Sequence, residues 1–100
     1  MKIKVQLSSG QILFERYINS FPIIIGRTDP SDLIIEHNLI SRRHAEMRWD
    51  GTKISVTDLK SRNGIYVNNE KVETATMPAP CTFNLSKEVI VEITLEDIPK

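Results

Sequence analysis

Three short segments hold the side chains best suited to chemistry: Gly26-Arg27, Ser41-Arg42-Arg43-His44 and Ser61-Arg62-Asn63-Gly64. Together they offer guanidinium forks, hydroxyls, an imidazole and an amide, with no carboxylate in any of them. That set matches a phosphate monoester, which carries a charge of about −1.5 to −2 at neutral pH and three strong acceptor oxygens. An arginine presents two parallel donors to such a group, and charge-assisted bonds are roughly twice as strong as neutral ones. A hydroxyl can fill a further acceptor. The Asn63 amide donates and accepts at once, so it can hold the backbone of an extended peptide. Ser41 near His44 also raises the idea of a nucleophile and its base. No glycine elbow surrounds Ser41 and no metal-ligand spacing occurs, so hydrolysis is the weaker reading.

Bulk composition narrows the field further. The chain has 100 residues, room for one small domain. Its 13 basic and 13 acidic side chains give a formal net charge of zero. The broad positive field of a general nucleic-acid binder is therefore missing, and a few placed residues must catch any anion. The one cysteine, Cys81, can form neither an internal disulfide nor a multi-cysteine zinc site. Semi-buried packing near Phe83 is its expected role. Met1 to Leu7 alternates polar and apolar residues without a continuous apolar core, so it does not read as a signal peptide. The longest apolar run, Phe21 to Ile25, is too short to span a bilayer. The expectation is a cytoplasmic domain without cofactor or metal, monomeric in isolation, with neither nucleic acid nor membrane as partner.

The elements that must position the three segments read as strands. Ile3, Val5 and Leu7 alternate with polar residues, the pattern of a half-buried strand, and Ser8-Ser9-Gly10 makes a turn. Ile12, Phe14 and Ile18 are expected to share a face of a second strand. Phe21 to Ile25 suits a strand buried on both sides, and Asp29-Pro30-Ser31-Asp32 a turn before Leu33-Ile34-Ile35. Ala45, Met47 and Trp49 point one way, then Asp50-Gly51 signals a hairpin into Ile54 and Val56. Ile65 and Val67 form a short strand ended by Asn68-Asn69. Val89, Val91, Ile93 and Leu95 alternate in the last one. His37 is expected to face solvent at a strand end. No long window shows a helical period, so the pattern predicts an all-β sandwich or barrel. A sandwich gathers its loops at two ends, and loops on a rigid scaffold are where binding residues concentrate.

The three segments in this order, followed by Val67-Asn68, resemble the forkhead-associated (FHA) domain family. Its pattern is Gly-Arg, then Ser-x-x-His, then Asn-Gly, at about these separations. Asp32-Leu33, Ala45 and Asp58-Leu59 also suit that pattern, and the likeness covers essentially the whole chain. Arg-based phosphopeptide reading is what such domains do. The resemblance implies an all-β, two-sheet antiparallel sandwich of about eleven strands, more than alternation alone reveals, with binding loops at one end. It implies a non-catalytic module over 1–97, with 98–100 a tail or the start of a linker, that recruits a phosphothreonine-containing protein in signalling. By position, Arg27 and Ser41 correspond to phosphate-binding residues, Arg42 to a further phosphate or backbone contact, and Asn63 to the holder of the peptide main chain. His44 corresponds to a structural histidine, and Gly26 and Gly64 to positions of special backbone geometry. Arg43 reads as a solvated charge. The alternative is a phosphate-independent interaction domain on the same scaffold.

The chain departs from the family pattern on both sides of Asn-Gly. Arg62 stands where a threonine is common before the asparagine, and Ile65 where one is common after the glycine. Arg62 could add a phosphate contact or obstruct the site. The family's preference for threonine over serine rests on a niche for one methyl group, worth about 0.8 kcal/mol of transfer free energy. Asn63 and the region of Ile65 are its candidate walls.

Overall fold

The computed structural model describes residues 1–96, which contain strands and turns and no helix. The expected tail at 98–100, and the domain edge at Asp97, lie outside the described residues. Eleven strands form: β1 (Lys2–Leu7), β2 (Ile12–Tyr17), β3 (Ile23–Gly26), β4 (Leu33–Ile34), β5 (Ala45–Trp49), β6 (Lys53–Asp58), β7 (Ile65–Val67), β8 (Glu70–Val72), β9 (Thr74–Pro78), β10 (Cys81–Leu85) and β11 (Val89–Thr94). One sheet has the order β2-β1-β11-β10-β7-β8, the other β4-β3-β5-β6-β9. Every strand pair is antiparallel except β3 with β4.

The period-two pattern explains the packing. Ile3 opposes Ile93 and Val5 opposes Val91, which in turn opposes Phe83. These side chains are fully buried or nearly so, as are Leu85, Val89 and Ile65 of the same sheet. Ile25, Ala45, Met47, Ile54 and Val56 face them from the other sheet. Burying each of the larger aliphatic chains contributes about 1.5–3 kcal/mol. Cys81 packs against this core half-buried, and burial pushes its thiol pKa up, away from reactivity.

Four expectations about the strands and their surfaces needed correction. Leu95, expected in the last strand, lies beyond β11, which ends at Thr94, and is 56% exposed. Ile12 is 53% exposed and does not share a face with Phe14. A bulge where Val5 opposes Phe14 but Gln6 opposes Ile12 inserts Leu13, and one extra residue reverses facing. The strand expected at Phe21 to Ile25 begins only at Ile23, with Pro22 exposed and Ile24 half-buried, so it is not buried on both sides. His37 is not a free surface group: its Nδ1 accepts the Leu39 N–H at 3.1 Å and shapes the loop.

Candidate anion-binding loop end

Strand register places the three segments together. Ile25 opposes Ala45, and Ala45 opposes Asp58. The end of β3, the start of β5 and the end of β6 are therefore level, and the loops 27–32, 35–44 and 59–64 leave the sheet on one side. Gly26 permits the tightest approach. A Cβ there would overlap the Arg42 carbonyl oxygen and Ser31 Oγ, so any other residue would push the first and second loops apart. Ser31 Oγ donates to that same carbonyl at 3.0 Å.

Ser41 joins all three loops. Its carbonyl accepts the Arg27 N–H at 3.0 Å, and its Oγ accepts the Arg62 N–H at 2.9 Å. Its own N–H donates to His44 Nδ1 at 3.1 Å. Among the described residues the Ser41 hydroxyl donates to no acceptor, so its hydrogen is available to a guest. His44 is fully buried, and its Nε2 donates to the Gly64 carbonyl at 2.8 Å. Nδ1 as acceptor and Nε2 as donor define a neutral ring. Burial lowers its pKa, against the opposing pull of the Gly64 carbonyl and Asp58. Both ring nitrogens are thus occupied by backbone, and neither meets the Ser41 hydroxyl. The nucleophile–base pairing does not form.

The third loop is braced from within and across. Asp58 accepts from the Ser61 hydroxyl and N–H, and Ser61 Oγ accepts the Gly64 N–H at 2.9 Å. Gly64 has φ +79°, a region costly for residues with a Cβ. Asn63 Nδ2 donates to the Leu39 carbonyl at 2.8 Å, which spends one donor and leaves Oδ1 and the second N–H for a guest.

Around this frame stand four arginines. Arg42, Arg43 and Arg62 are exposed and Arg27 half-buried. Among the described residues the ion pairs are Lys2 with Glu15 and Glu96, Lys4 with Glu92, and Arg48 with Glu46. None involves the four loop arginines. The predicted site residues therefore lie in loops at one end, and none of the four arginines has an ion-pair partner among the described residues. Lys71 was not anticipated. Its stem covers Gly64, where an added Cβ would meet Lys71 Cε. Only the β7–β8 pairing reveals it, because the Val67-Asn68-Asn69-Glu70 turn folds β8 back. Ile65, named as a possible wall of the methyl niche, is fully buried and out of a ligand's reach.

Fold and loops together define a class of protein: a two-sheet β-sandwich with a basic, cross-braced loop end. The family described as the FHA domain matches residues 23–86, and the chain belongs to it. Among its relatives are the glycogen accumulation regulator GarA of Mycolicibacterium smegmatis, 38% identical over 69 residues, and FhaB of Mycobacterium tuberculosis, 43% identical over 70. Each match covers 69% of this chain but only 44% and 45% of the relative, so the chain spans less than half their length. Among solved structures, the FHA domain of FhaA complexed with the intracellular domain of Rv3910 superposes with a TM-score of 0.69 at 32% identity, covering 90% of this chain and 99% of that one. An FHA domain studied for phosphothreonine-dependent interactions gives 0.74 at 29% identity, covering 96% of this chain and 100% of that one. FHA domains are protein-interaction modules.

Proposed function

We propose that this domain binds a phosphothreonine peptide in extended form, without catalysis, and so recruits a phosphorylated protein. In this reading Arg27 and Arg42 pair with the phosphate, Ser41 donates its hydroxyl hydrogen to it, and Asn63 holds the peptide main chain. Arg62 supplies a further guanidinium at the rim, since its backbone is already tied to Ser41. His44, Gly26 and Gly64 hold the loops and touch no ligand.

One observation carries the reading. Ser41 is fixed by the Arg27 and Arg62 N–H groups and the His44 ring, while its hydroxyl donates to no acceptor among the described residues, in loops whose arginines have no ion-pair partner there. Such pre-organisation lowers the ordering cost of binding. A small rigid site with one dianionic anchor suits a Kd near ~1 μM, about −8 kcal/mol.

Isothermal titration with a phosphothreonine peptide, its unphosphorylated form and its phosphoserine form tests this. Binding is expected only with phosphate, and more tightly for threonine. Arg27→Ala should weaken it by roughly a hundredfold, about 2.7 kcal/mol, because a charged acceptor loses its fork. Equal affinity for the unphosphorylated peptide would instead favour a phosphate-independent interaction surface and remove these roles.

A further inference from the structure

Among the described residues the two sheets end in four free edges, and three of them are guarded. β2 carries the exposed charges of Glu15 and Arg16 and a bulge, β8 carries the exposed Glu70 and Lys71, and β4 has only two residues. Charge, bulging and shortness are what keep a free strand edge from pairing with another chain. β9 has none of these. Its five residues, Thr74-Ala75-Thr76-Met77-Pro78, are uncharged and pair with β6 without a register shift.

One bond fixes which way the β9 backbone groups point. The Asp58 N–H donates to the Glu73 carbonyl at 2.8 Å, so these two residues form a hydrogen-bonded pair. Such pairs alternate along an antiparallel ladder, so Ala75 and Met77 also turn their backbone groups to β6. Thr74 and Thr76 turn theirs to the free edge, where no strand meets them among the described residues. The side chains agree. Thr74 and Thr76 sit in the closely spaced pairs, and their hydroxyls meet those of Thr57 and Ser55 at 3.3 and 3.2 Å on the outer face.

We propose that this edge pairs antiparallel with the same edge of a second copy of the chain, about a two-fold axis at Ala75. Thr74-Ala75-Thr76 reads alike in both directions, so the axis sets Thr74 of each copy opposite Thr76 of the other. Every outward N–H and C=O of the two threonines then finds a partner. Ala75 meets its own copy in a closely spaced pair, where a small side chain fits. On the outer face the hydroxyl pairs join into rows: Ser55 and Thr76 of one copy continue into Thr74 and Thr57 of the other. Cross-strand pairs of this kind are stabilising. Pro78, the next outward residue, has no N–H to give and ends the contact. The nearest charge, Glu73, falls opposite Met77 of the second copy, outside the bonded pairs. So small a contact is transient, with a Kd on the order of 0.1–1 mM, and forms when two copies are held close. The two loop ends then lie on opposite sides, because β6 and its copy run antiparallel. This surface is separate from the phosphothreonine site and does not depend on that reading.

The test is sedimentation equilibrium of the whole chain, without peptide, from about 20 μM to about 2 mM. The mean mass should rise from that of one chain towards that of two. Amide exchange at Thr74 and Thr76 should slow about twofold when total protein equals the Kd, since half the chains are then paired. T76P deletes an outward N–H and none of the bonds to β6, and should leave a monomer throughout. T74K/T76K sets like charges opposite each other across the axis and should weaken pairing roughly tenfold. T74E/T76K sets opposite charges there and should restore it. Thermal melts of dilute samples check that each variant folds, and the two charge variants keep the test open if T76P does not. A chain that stays monomeric at the highest concentration overturns the proposal. Dimers that persist in both T76P and T74K/T76K also overturn it, because another surface would then hold them. Failure of T74E/T76K to regain what T74K/T76K loses overturns the pairing about Ala75.

Discussion

At the far end of the sandwich the chain reverses at Asp50–Thr52, and past the short β7 it reverses at Asn68–Asn69, by means held within each turn, whereas the loops of the candidate site are tied to one another. Asp50 Oδ1 accepts the N–H groups of Thr52 and Lys53 at 2.8 and 2.7 Å, two and three residues away. Asn68 and Asn69 simply adopt positive φ, 52° and 66°, the pair of angles a two-residue hairpin needs. The bonds from Ser31 to Arg42, His44 to Gly64, Arg62 to Ser41 and Asn63 to Leu39 span 11, 20, 21 and 24 residues. Local bonds survive wherever the turn survives. Long-range ones exist only when the strands that carry the loops are in register, so the binding geometry is a property of the assembled sheets. Damage at the site end should therefore cost stability and binding together, and damage at the far end stability alone.

The largest expected break is Gly26→Ala. Its methyl overlaps a backbone carbonyl that cannot swing aside. A loss of roughly 3 kcal/mol or more follows, a fall in Tm of roughly 12–24 °C for a domain of this size, together with loss of phosphopeptide binding. Gly51→Ala is the far-end counterpart. Its Cβ enters open space, and only φ +101° opposes it. About 1–2 kcal/mol should be lost and affinity left alone. Thermal melts and peptide titrations below both transitions check this pair. Equal losses of affinity in the two variants would break the comparison.

Next comes His44. His44→Ala strands the Ser41 N–H in a buried cavity, at a cost of roughly 3 kcal/mol. Acid sharpens the point. A histidine whose folded pKa lies below its ordinary 6.5 takes up protons more readily when unfolded. Its share of stability is complete above pH 6.5 and is lost as pH falls from there through the lower folded value. Urea midpoints of the free domain between pH 7.5 and 5.5 should fall, by at most about 1.4 kcal/mol per pH unit from this group. His44→Ala should flatten that slope. An unchanged slope would show that the imidazole is not the group being titrated.

The two ends also differ in how far residues announce themselves. Asp50-Gly51 signals its hairpin by local chemistry, and the structure turns there. Alternation exposed β1, β5, β6 and β11, whose fully buried residues fall on every second position. It did not expose β8 or β9. Glu70-Lys71-Val72 is short and charged, and β9 turns only the modest Ala75 and Met77 inward. In β10, Cys81, Phe83 and Leu85 do alternate, but Pro78 and Pro80 stand just before them. At the site end, residue types suggested an anion, and the family likeness supplied the grouping. Of the braces, only His44 was foreseen, through the family likeness; the others did not appear in the sequence. Nothing local says that Ser41 Oγ meets the backbone of Arg62 or that Lys71 lies over Gly64, because sheet register and docking decide both.

The smallest effect belongs to Asp50, and it separates the two ends most sharply. Backbone donation from Lys53 and then Thr52 holds the Asp50 carboxyl below its usual 3.8. Its contribution is present above pH 3.8 and is lost as pH falls through the lower folded value, a window well below that of His44. Asp50→Ala should therefore trim stability slightly at neutral pH, flatten the most acidic part of the stability curve, and leave both the His44 limb and phosphopeptide affinity unchanged. The carboxylate is solvated, which keeps the loss small. Because the two groups share no partner, the double variant with His44→Ala should lose the sum of the single losses. A deficit beyond that sum, or a change in peptide affinity from Asp50→Ala alone, would mean that the far turn helps hold the loops. The contrast between local and long-range bracing would then be wrong.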